Sequence, residues 1–200
     1  WRQWLVELQA PQELVAGLPA PPPFEATLTL VIRSYAGALQ TLLPFIRSAE
    51  IFWPYRRWPV VLVLDAESPE DWWVGSAMLP DWLHVVFEAP PPRFGAWAPL
   101  HRGGSRERGW QRAAWSQFYL DRYATTDFVA QMDADTVLHT FADEELLFDT
   151  SGRPRIVGLT HFNDFRPALR ALSLPEDIDF MAGQPMVFRR SDLAEIRSFV

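Results

Sequence analysis

Four apolar runs of strand length, each ending in a charged side chain, constrain the fold of this chain most strongly. They occupy residues 26–33, 59–65, 83–88 and 128–133, and they end in Arg33, Asp65, Glu88 and Asp133. Continuous apolar runs, unlike alternating ones, are typical of strands covered on both faces in a parallel sheet. The sequence therefore predicts a buried sheet with charged groups at the ends of its strands.

Helical patterns lie between these runs. Apolar residues at helical spacing predict one helix after the first run, around residues 39–46, and another over residues 108–123. Pro44 predicts a kink or an early end of the first helix. Alternating strands and helices predict an open α/β sheet, in which ligands bind at the carboxyl edge. Asp65 and Asp133 should both lie at that edge.

The first 23 residues differ from the rest. They end in a proline-rich stretch, which predicts an extended connector over residues 1–23 and a single main domain over residues 24–200. A chain that begins with Trp1 and not with Met is expected to be part of a longer protein. The alternative that the domain is truncated at its C-terminal end stays open.

Several segments give weaker indications. Residues 89–109 are rich in Pro, Gly and Arg and predict a long loop, either functional or simply mobile. Residues 155–160 favour a further strand, and the apolar run at 180–188 is interrupted by Gly and Pro. Asp192, with Glu195 three residues later, resembles a capping box at a helix start.

Composition excludes several classes of function. The net charge of −7 argues against a surface that grips nucleic acid by neutralising its phosphates. All 18 basic residues are Arg, which excludes a lysine nucleophile, a Schiff base and a phosphate-loop lysine. The apolar runs are too short to span a membrane. No Cys is present, so thiol chemistry is excluded, and both the secretory-pathway lumen and the cytoplasm are compatible with the chain.

The fourth run closes with Asp133-Ala134-Asp135, two carboxylates separated by one residue. Burying an ionised carboxylate costs several kcal/mol unless another group pairs with it. Two such groups at the end of a buried strand therefore predict a bound cation. A solvated turn is the alternative for so short a motif.

The order of these features resembles the nucleotide-sugar glycosyltransferases of the GT-A fold. The resemblance covers about residues 26–193 and rests on the strand order, on Asp65-Ala66-Glu67-Ser68 and on Asp133-Ala134-Asp135. It implies an open, mixed, mostly parallel sheet flanked by helices. It also implies a donor of the UDP- or GDP-sugar type, an acceptor hydroxyl on a glycan, protein or small molecule, and a Mn²⁺ or Mg²⁺ ion that offsets the charge of the departing diphosphate. Asp133 and Asp135 would hold that ion, with Asp135 the more direct ligand.

The same resemblance implies roles for residues at the neighbouring strand ends. The expected contacts to the donor nucleotide are Arg33, Ser34, Tyr35, Asp65 and Arg112. The family's second strand usually ends in an acidic pair, and Ala66 replaces the second acid here. For each of these positions the alternative is a strand-end turn, a helix cap or a solvated arginine.

Four further residues complete the expected site. His161 is the best-placed candidate for a further metal ligand, although a lone His is more often structural. Asp177 and Asp179 are the candidates for the base that an inverting transferase needs, whereas a retaining enzyme can lack an obvious base. Gln184, in a Gly-Gln-Pro turn, could hydrogen-bond a sugar hydroxyl on the acceptor side.

Two other functions compete with this interpretation. Asp133-Ala134-Asp135-Thr136 also matches the nucleophile motif of haloacid-dehalogenase-type phosphohydrolases, but that motif usually opens its domain and is accompanied by a Lys. A non-catalytic domain of the same fold, which binds sugar or a partner protein without turnover, remains the second alternative.

Overall fold

A computed structural model describes residues 25–92, 105–156, 170, 173 and 183–199. Its strands are β1 Leu28–Arg33, β2 Val60–Asp65, β3 Leu83–Glu88, β4 Phe128–Asp133 and β5 Met186–Arg189. Its helices are α1 Leu39–Phe52, α2 Pro69–Ala77, α3 Ser105–Phe118, α4 Glu144–Leu147 and α5 Arg190–Phe199. Short 3₁₀ turns occupy Ala36–Ala38 and Leu120–Arg122.

The five strands form one sheet in the order β3-β2-β1-β4-β5. Strands β1 to β4 are parallel, and only β5 runs antiparallel, beside β4. The register places Arg33 opposite Asp133 and Asp65 opposite Glu88. The prediction of a mixed, mostly parallel α/β sheet is therefore confirmed, and the charged ends of β1 to β4 meet at one edge.

Both faces of the central strands are covered, as their continuous apolar sequences predict. Leu28, Leu30 and Ile32 of β1 pack into the larger core cluster with residues of α1, whereas Val31 packs into a smaller cluster on the opposite face. Each of these side chains is at most 2% exposed. Full burial of an aliphatic side chain contributes about 1.5–3 kcal/mol, so this sandwich holds the strand ends in fixed positions.

The expectation that Pro44 ends its helix early is wrong. Helix α1 continues through Pro44 to Phe52. The pyrrolidine ring is exposed, while Leu42, Phe45 and Ile46 on the other side of the helix are buried. Burial of that apolar face offsets the one backbone hydrogen bond that a proline in the first turns removes.

Two helix starts also differ from their predicted positions. Helix α3 begins at Ser105, so the expected loop over 89–109 is shorter than predicted, and its residues 93–104 lie outside the described part of the chain. Helix α5 begins at Arg190 directly after β5, and the Arg190 amide still donates to the Asp127 carbonyl beside β4. Asp192 therefore lies in the first turn of the helix and is not its N-cap.

Two weaker expectations concern segments that are only partly described. Within the predicted strand at 155–160, residues 155 and 156 form no strand, and 157–160 lie outside the described residues. Pro154, just before it, makes an isolated bridge with Phe148. Among the helices that the structure describes, none has the length and apolar character needed to cross a bilayer.

Candidate active site

A network of largely buried ion pairs joins the ends of β1, β2 and β3. Arg33 donates from one guanidinium nitrogen to Asp65 and from another to Glu88 at 3.1 Å. Arg112, on α3, donates its Nε to the same Asp65 oxygen at 3.0 Å. The Arg33 and Arg112 side chains are only 11% and 4% exposed. Two of the expected nucleotide-binding arginines therefore neutralise internal carboxylates.

Glu88 is the centre of this network, and the sequence analysis did not select it as a site residue. Its carboxylate accepts hydrogen bonds from Arg33, from the Ser116 hydroxyl at 2.7 Å and from the Tyr123 hydroxyl. Its backbone carbonyl accepts from Arg112. Glu88 ends the apolar run of β3 just as Asp65 ends that of β2. This position at the end of a run is the sequence signal that could have identified it.

The network holds Tyr123 in its neutral form. Burial, followed by the hydrogen bond to Glu88 and the negative charge of that group, raises the pKa of the Tyr123 phenol well above its ordinary value of 10.0. The folded protein therefore keeps this proton at a pH where the unfolded chain has lost it. The resulting stabilisation is complete below about pH 10 and is lost as the pH rises beyond it.

We therefore expect the free energy of unfolding to fall more steeply above pH 10 in the wild type than in Tyr123→Phe, which has no phenol to ionise at this position. Urea denaturation at intervals between pH 8.5 and pH 11 measures the two slopes. The difference between the two slopes is easier to measure in this chain because it has no Lys and no Cys, whose alkaline titration would add to both slopes. Parallel slopes in the two proteins would contradict the raised pKa.

Asp71 is a second residue that the sequence analysis did not select. It is 2% exposed, and its carboxylate accepts from the backbone amides of Ala36 at 2.8 Å and Asp65 at 2.9 Å. It also accepts from the Ser68 hydroxyl, and Ser68 in turn caps the start of α2. This carboxylate ties the loop after β1 to the end of β2. The Ser68-x-x-Asp71 spacing, which is typical of a helix start, was the available signal.

Ser34 and Tyr35 follow Arg33 at the same edge but differ in environment. Ser34 is 5% exposed, and its Oγ has no hydrogen-bond partner within the described part of the chain. Tyr35 is 57% exposed. Of the two residues, only Tyr35 offers a ring surface on which a planar ligand could stack.

Asp133 and Asp135 are both exposed, so the expectation that they are buried carboxylates is wrong. Asp133 is the last residue of β4, and a turn closed by the Thr136 amide and the Asp133 carbonyl at 3.1 Å carries Asp135. Only Ala134 between them is buried. The strand ends where the core ends, and the two carboxylates extend beyond it toward solvent.

The two acids differ in their partners. Asp133 accepts hydrogen bonds from the side-chain amides of Gln131 and Gln184. Asp135 makes no hydrogen bond or ion pair with any other residue that the structure describes. Asp135 is therefore the carboxylate that is open to a ligand.

His161, Asp177 and Asp179 lie outside the described residues. Within the described ranges, no group of three or more His, Asp or Glu side chains is arranged to hold a metal ion.

An open cleft of about 380 Å³ adjoins the acidic turn. Its lining includes Gln184 and Thr136, which contact each other, together with His139 and apolar side chains such as Val137 and Leu146. Polar and apolar groups contribute about equally to its walls. Gln184 lies between this cleft and Asp133.

The fold and the edge define an α/β domain with a mixed, mostly parallel sheet and an acidic turn at its carboxyl edge. No protein-family model matches the chain, and no curated protein matches its sequence. The chain is similar to several solved glycosyltransferase structures, all at low sequence identity.

One of these is the galactosyltransferase LgtC in complex with donor and acceptor sugar analogues, at 17% identity and a TM-score of 0.42, over 60% of this chain and 42% of that one. Another is the mannosyltransferase PcManGT from Pyrobaculum calidifontis in complex with GDP-Man and Mn²⁺, at 18% identity and a TM-score of 0.40, over 90% and 49%. A third is the bifunctional glycosyltransferase WbbM, at 13% identity and a TM-score of 0.48, over 90% and 34%. The chain thus spans less than half the length of each of these proteins.

Proposed function

We propose that this chain is the donor-binding domain of a metal-dependent glycosyltransferase, which moves a sugar from a nucleoside diphosphate of the UDP or GDP type to an acceptor hydroxyl. The sheet architecture and the position of the acidic turn at its carboxyl edge support the proposal. The main argument for the proposal is the charge balance of that edge.

Among the residues that the structure describes, carboxylates outnumber guanidinium groups where the strands end. The acidic side chains are Asp65, Glu67, Glu88, Asp133 and Asp135, and the basic ones that pair with them are Arg33 and Arg112. Because both arginines are engaged by carboxylates of the protein, neither brings an uncompensated positive charge to a ligand. The described side chains would therefore present net negative charge to a diphosphate at this edge, and a divalent cation is the simplest group that reverses this repulsion.

The acidic turn fits such a cation. Mg²⁺, and Mn²⁺ with similar chemistry, is commonly held by only one or two carboxylates, with substrate phosphates and water completing the shell. Asp135 is exposed and without an internal partner in the described part of the chain, and Asp133 lies two residues away. When bound, the ion would supply electrostatic stabilisation of the departing diphosphate.

Other residues at the edge would orient the donor. Asp65 is fixed by two guanidinium groups through its Oδ1, and its side chain remains 25% exposed, so it can accept a hydrogen bond from a ribose hydroxyl or a base. Tyr35 offers its ring to the base. Arg33 and Arg112 would then act by holding Asp65 in place more than by contacting phosphate.

The acceptor would bind beside the acidic turn. The cleft beside Gln184 is the nearest space for an acceptor in the described structure. Asp177 or Asp179 would serve as the base of an inverting reaction, and His161 as a further metal ligand. Replacing each of them singly in a transfer assay would assign these roles.

Metal-dependent nucleotide binding tests the proposal. Trp72 is a suitable reporter, because its indole donates to the Ala66 carbonyl next to Asp65. We expect UDP or GDP to change the tryptophan fluorescence only when Mn²⁺ is present, and Asp133→Ala combined with Asp135→Ala to abolish the change. Asp81→Asn is the matched control, since Asp81 is exposed and precedes β3 at the opposite edge of the sheet.

Two outcomes would redirect the interpretation. Equal nucleotide binding with and without metal would overturn the proposal. Metal-dependent binding without release of nucleoside diphosphate from any sugar donor would favour the non-catalytic alternative.

A further inference from the structure

Two glutamine side chains donate hydrogen bonds to the carboxylate of Asp133, one to each oxygen. Gln131, on β4, donates its Nε2 to Oδ1 at 3.2 Å, and Gln184 donates its Nε2 to Oδ2 at 2.6 Å. We call this arrangement, formed by Gln131 and Gln184 on Asp133, the amide clamp. Both oxygens of the first acid in the turn are thereby held by donors from the protein.

Gln184 does more than hold the carboxylate. Its Oε1 accepts from the Asp133 backbone amide at 2.9 Å and from the Thr136 hydroxyl at 2.9 Å. Asp133 and Thr136 are the two ends of the turn that carries Asp135. One amide therefore fixes both the side chain of the first acid and the backbone that positions the second.

Gln131 is an unusual residue for its position, which supports a specific role. It is 5% exposed on a strand whose neighbouring residues are apolar, and its Oε1 has no hydrogen-bond partner in the described structure. A buried amide oxygen without a hydrogen-bond partner destabilises the fold relative to an apolar residue. It lines a cavity of about 40 Å³ with Arg33 and Asp133, which is large enough for an ordered water.

We propose that Gln184 and Gln131 are positioning residues that orient Asp133, and through the turn Asp135, for a divalent cation. This inference rests on the proposed function and assigns Gln184 a role different from contact with an acceptor hydroxyl. Its Oε1 already accepts two hydrogen bonds and one of its N–H groups is used, which leaves a single N–H for any ligand.

The physical basis is preorganisation. An exposed carboxylate must give up rotational freedom when it binds a metal, and hydrogen bonds that fix it beforehand reduce that cost. Hydrogen-bond partners behind metal ligands typically change metal affinity by about 10- to 100-fold when they are removed. The amide clamp is such a set of partners for Asp133.

The test measures binding of Mn²⁺ alone, from the decrease in the electron paramagnetic resonance signal of free Mn²⁺. The variant is Gln184→Met, which has a similar length but neither donates nor accepts these hydrogen bonds. We expect its dissociation constant for Mn²⁺ to rise by about 10- to 100-fold relative to the wild type. Gln40→Met, an exposed change on α1, is the matched control and should leave the constant unchanged.

Thermal unfolding without metal separates positioning from a merely structural role. A lower melting temperature of Gln184→Met with an unchanged Mn²⁺ constant would overturn the inference, because Gln184 would then only stabilise the turn. Gln131→Met, which leaves the Gln184 contacts in place, provides a second variant and should weaken Mn²⁺ binding in the same direction.

The inference and the proposed function can fail separately. If the wild type does not bind Mn²⁺ without nucleotide, the inference is overturned, whereas metal-dependent nucleotide binding can still be observed by fluorescence. If the wild type binds Mn²⁺ and Gln184→Met binds it equally well, only the positioning role is overturned.

Discussion

Asp135→Asn is expected to lower the rate of sugar transfer at saturating donor by roughly 100- to 10,000-fold, because a divalent metal contributes several kcal/mol to stabilising the charge that develops on a leaving diphosphate. Asn keeps the shape of the side chain but removes the negative charge that would attract the ion. Asp135 is exposed and makes no contact with the described residues that the substitution would disturb. Release of nucleoside diphosphate from a panel of UDP- and GDP-sugars measures the rate.

The control for this variant must separate loss of metal from loss of fold. Asp81→Asn removes one exposed carboxylate at the opposite edge of the sheet and should retain the wild-type rate. The unfolding free energy of Asp135→Asn should stay within about 0.5 kcal/mol of the wild type, as is usual for exposed positions. Transfer at an undiminished rate by Asp135→Asn would remove the acidic turn from the mechanism.

Glu88→Ala is expected to destabilise the fold by about 3–5 kcal/mol, the usual cost of removing one partner from a buried ion pair. The Glu88 side chain is 9% exposed and accepts hydrogen bonds from Arg33, Ser116 and Tyr123. Its loss would leave buried donors without their acceptor. Equilibrium denaturation in urea, with the slope compared between variants, gives the change in free energy.

Glu67→Ala provides a matched comparison. Glu67 pairs with Arg112 at 3.3 Å, but its side chain is 47% exposed. Ion pairs in contact with solvent contribute about 0–1 kcal/mol, so this variant should be nearly as stable as the wild type. If the two variants lost the same unfolding free energy, the burial of Glu88 would not explain its contribution to stability.

The central strands could be predicted from sequence because they are buried on both faces. Val60–Asp65 is continuously apolar up to its final Asp and matches β2. Leu83–Glu88 matches the edge strand β3, although His84 within it is exposed. Helix starts were harder to predict, since helix α3 begins in a segment whose sequence also favours a loop. The local sequence pattern therefore predicts which residues are buried more reliably than it predicts where a helix begins.

The site could be predicted only at the level of which strand ends meet. The partners of Glu88 lie between 24 and 55 residues away in the chain, and no local pattern relates them. The sequence likewise does not show that Arg112 would be engaged by carboxylates. The exposure of Asp133 was missed because an apolar run predicts a buried strand but does not show whether the last residue of that strand is itself buried or exposed.

The order of the strands in the sheet also affects how the chain can fold during synthesis. Strand β1 lies in the interior of the sheet, and its partner β4 is a hundred residues further along, since Leu28 pairs with Phe128. Closing so long a loop slows folding, and an unpaired strand edge in a partly folded chain favours association with other chains. A nascent chain that has not yet reached Phe128 therefore exposes one edge of strand β1, and we expect chaperones to engage it in that interval.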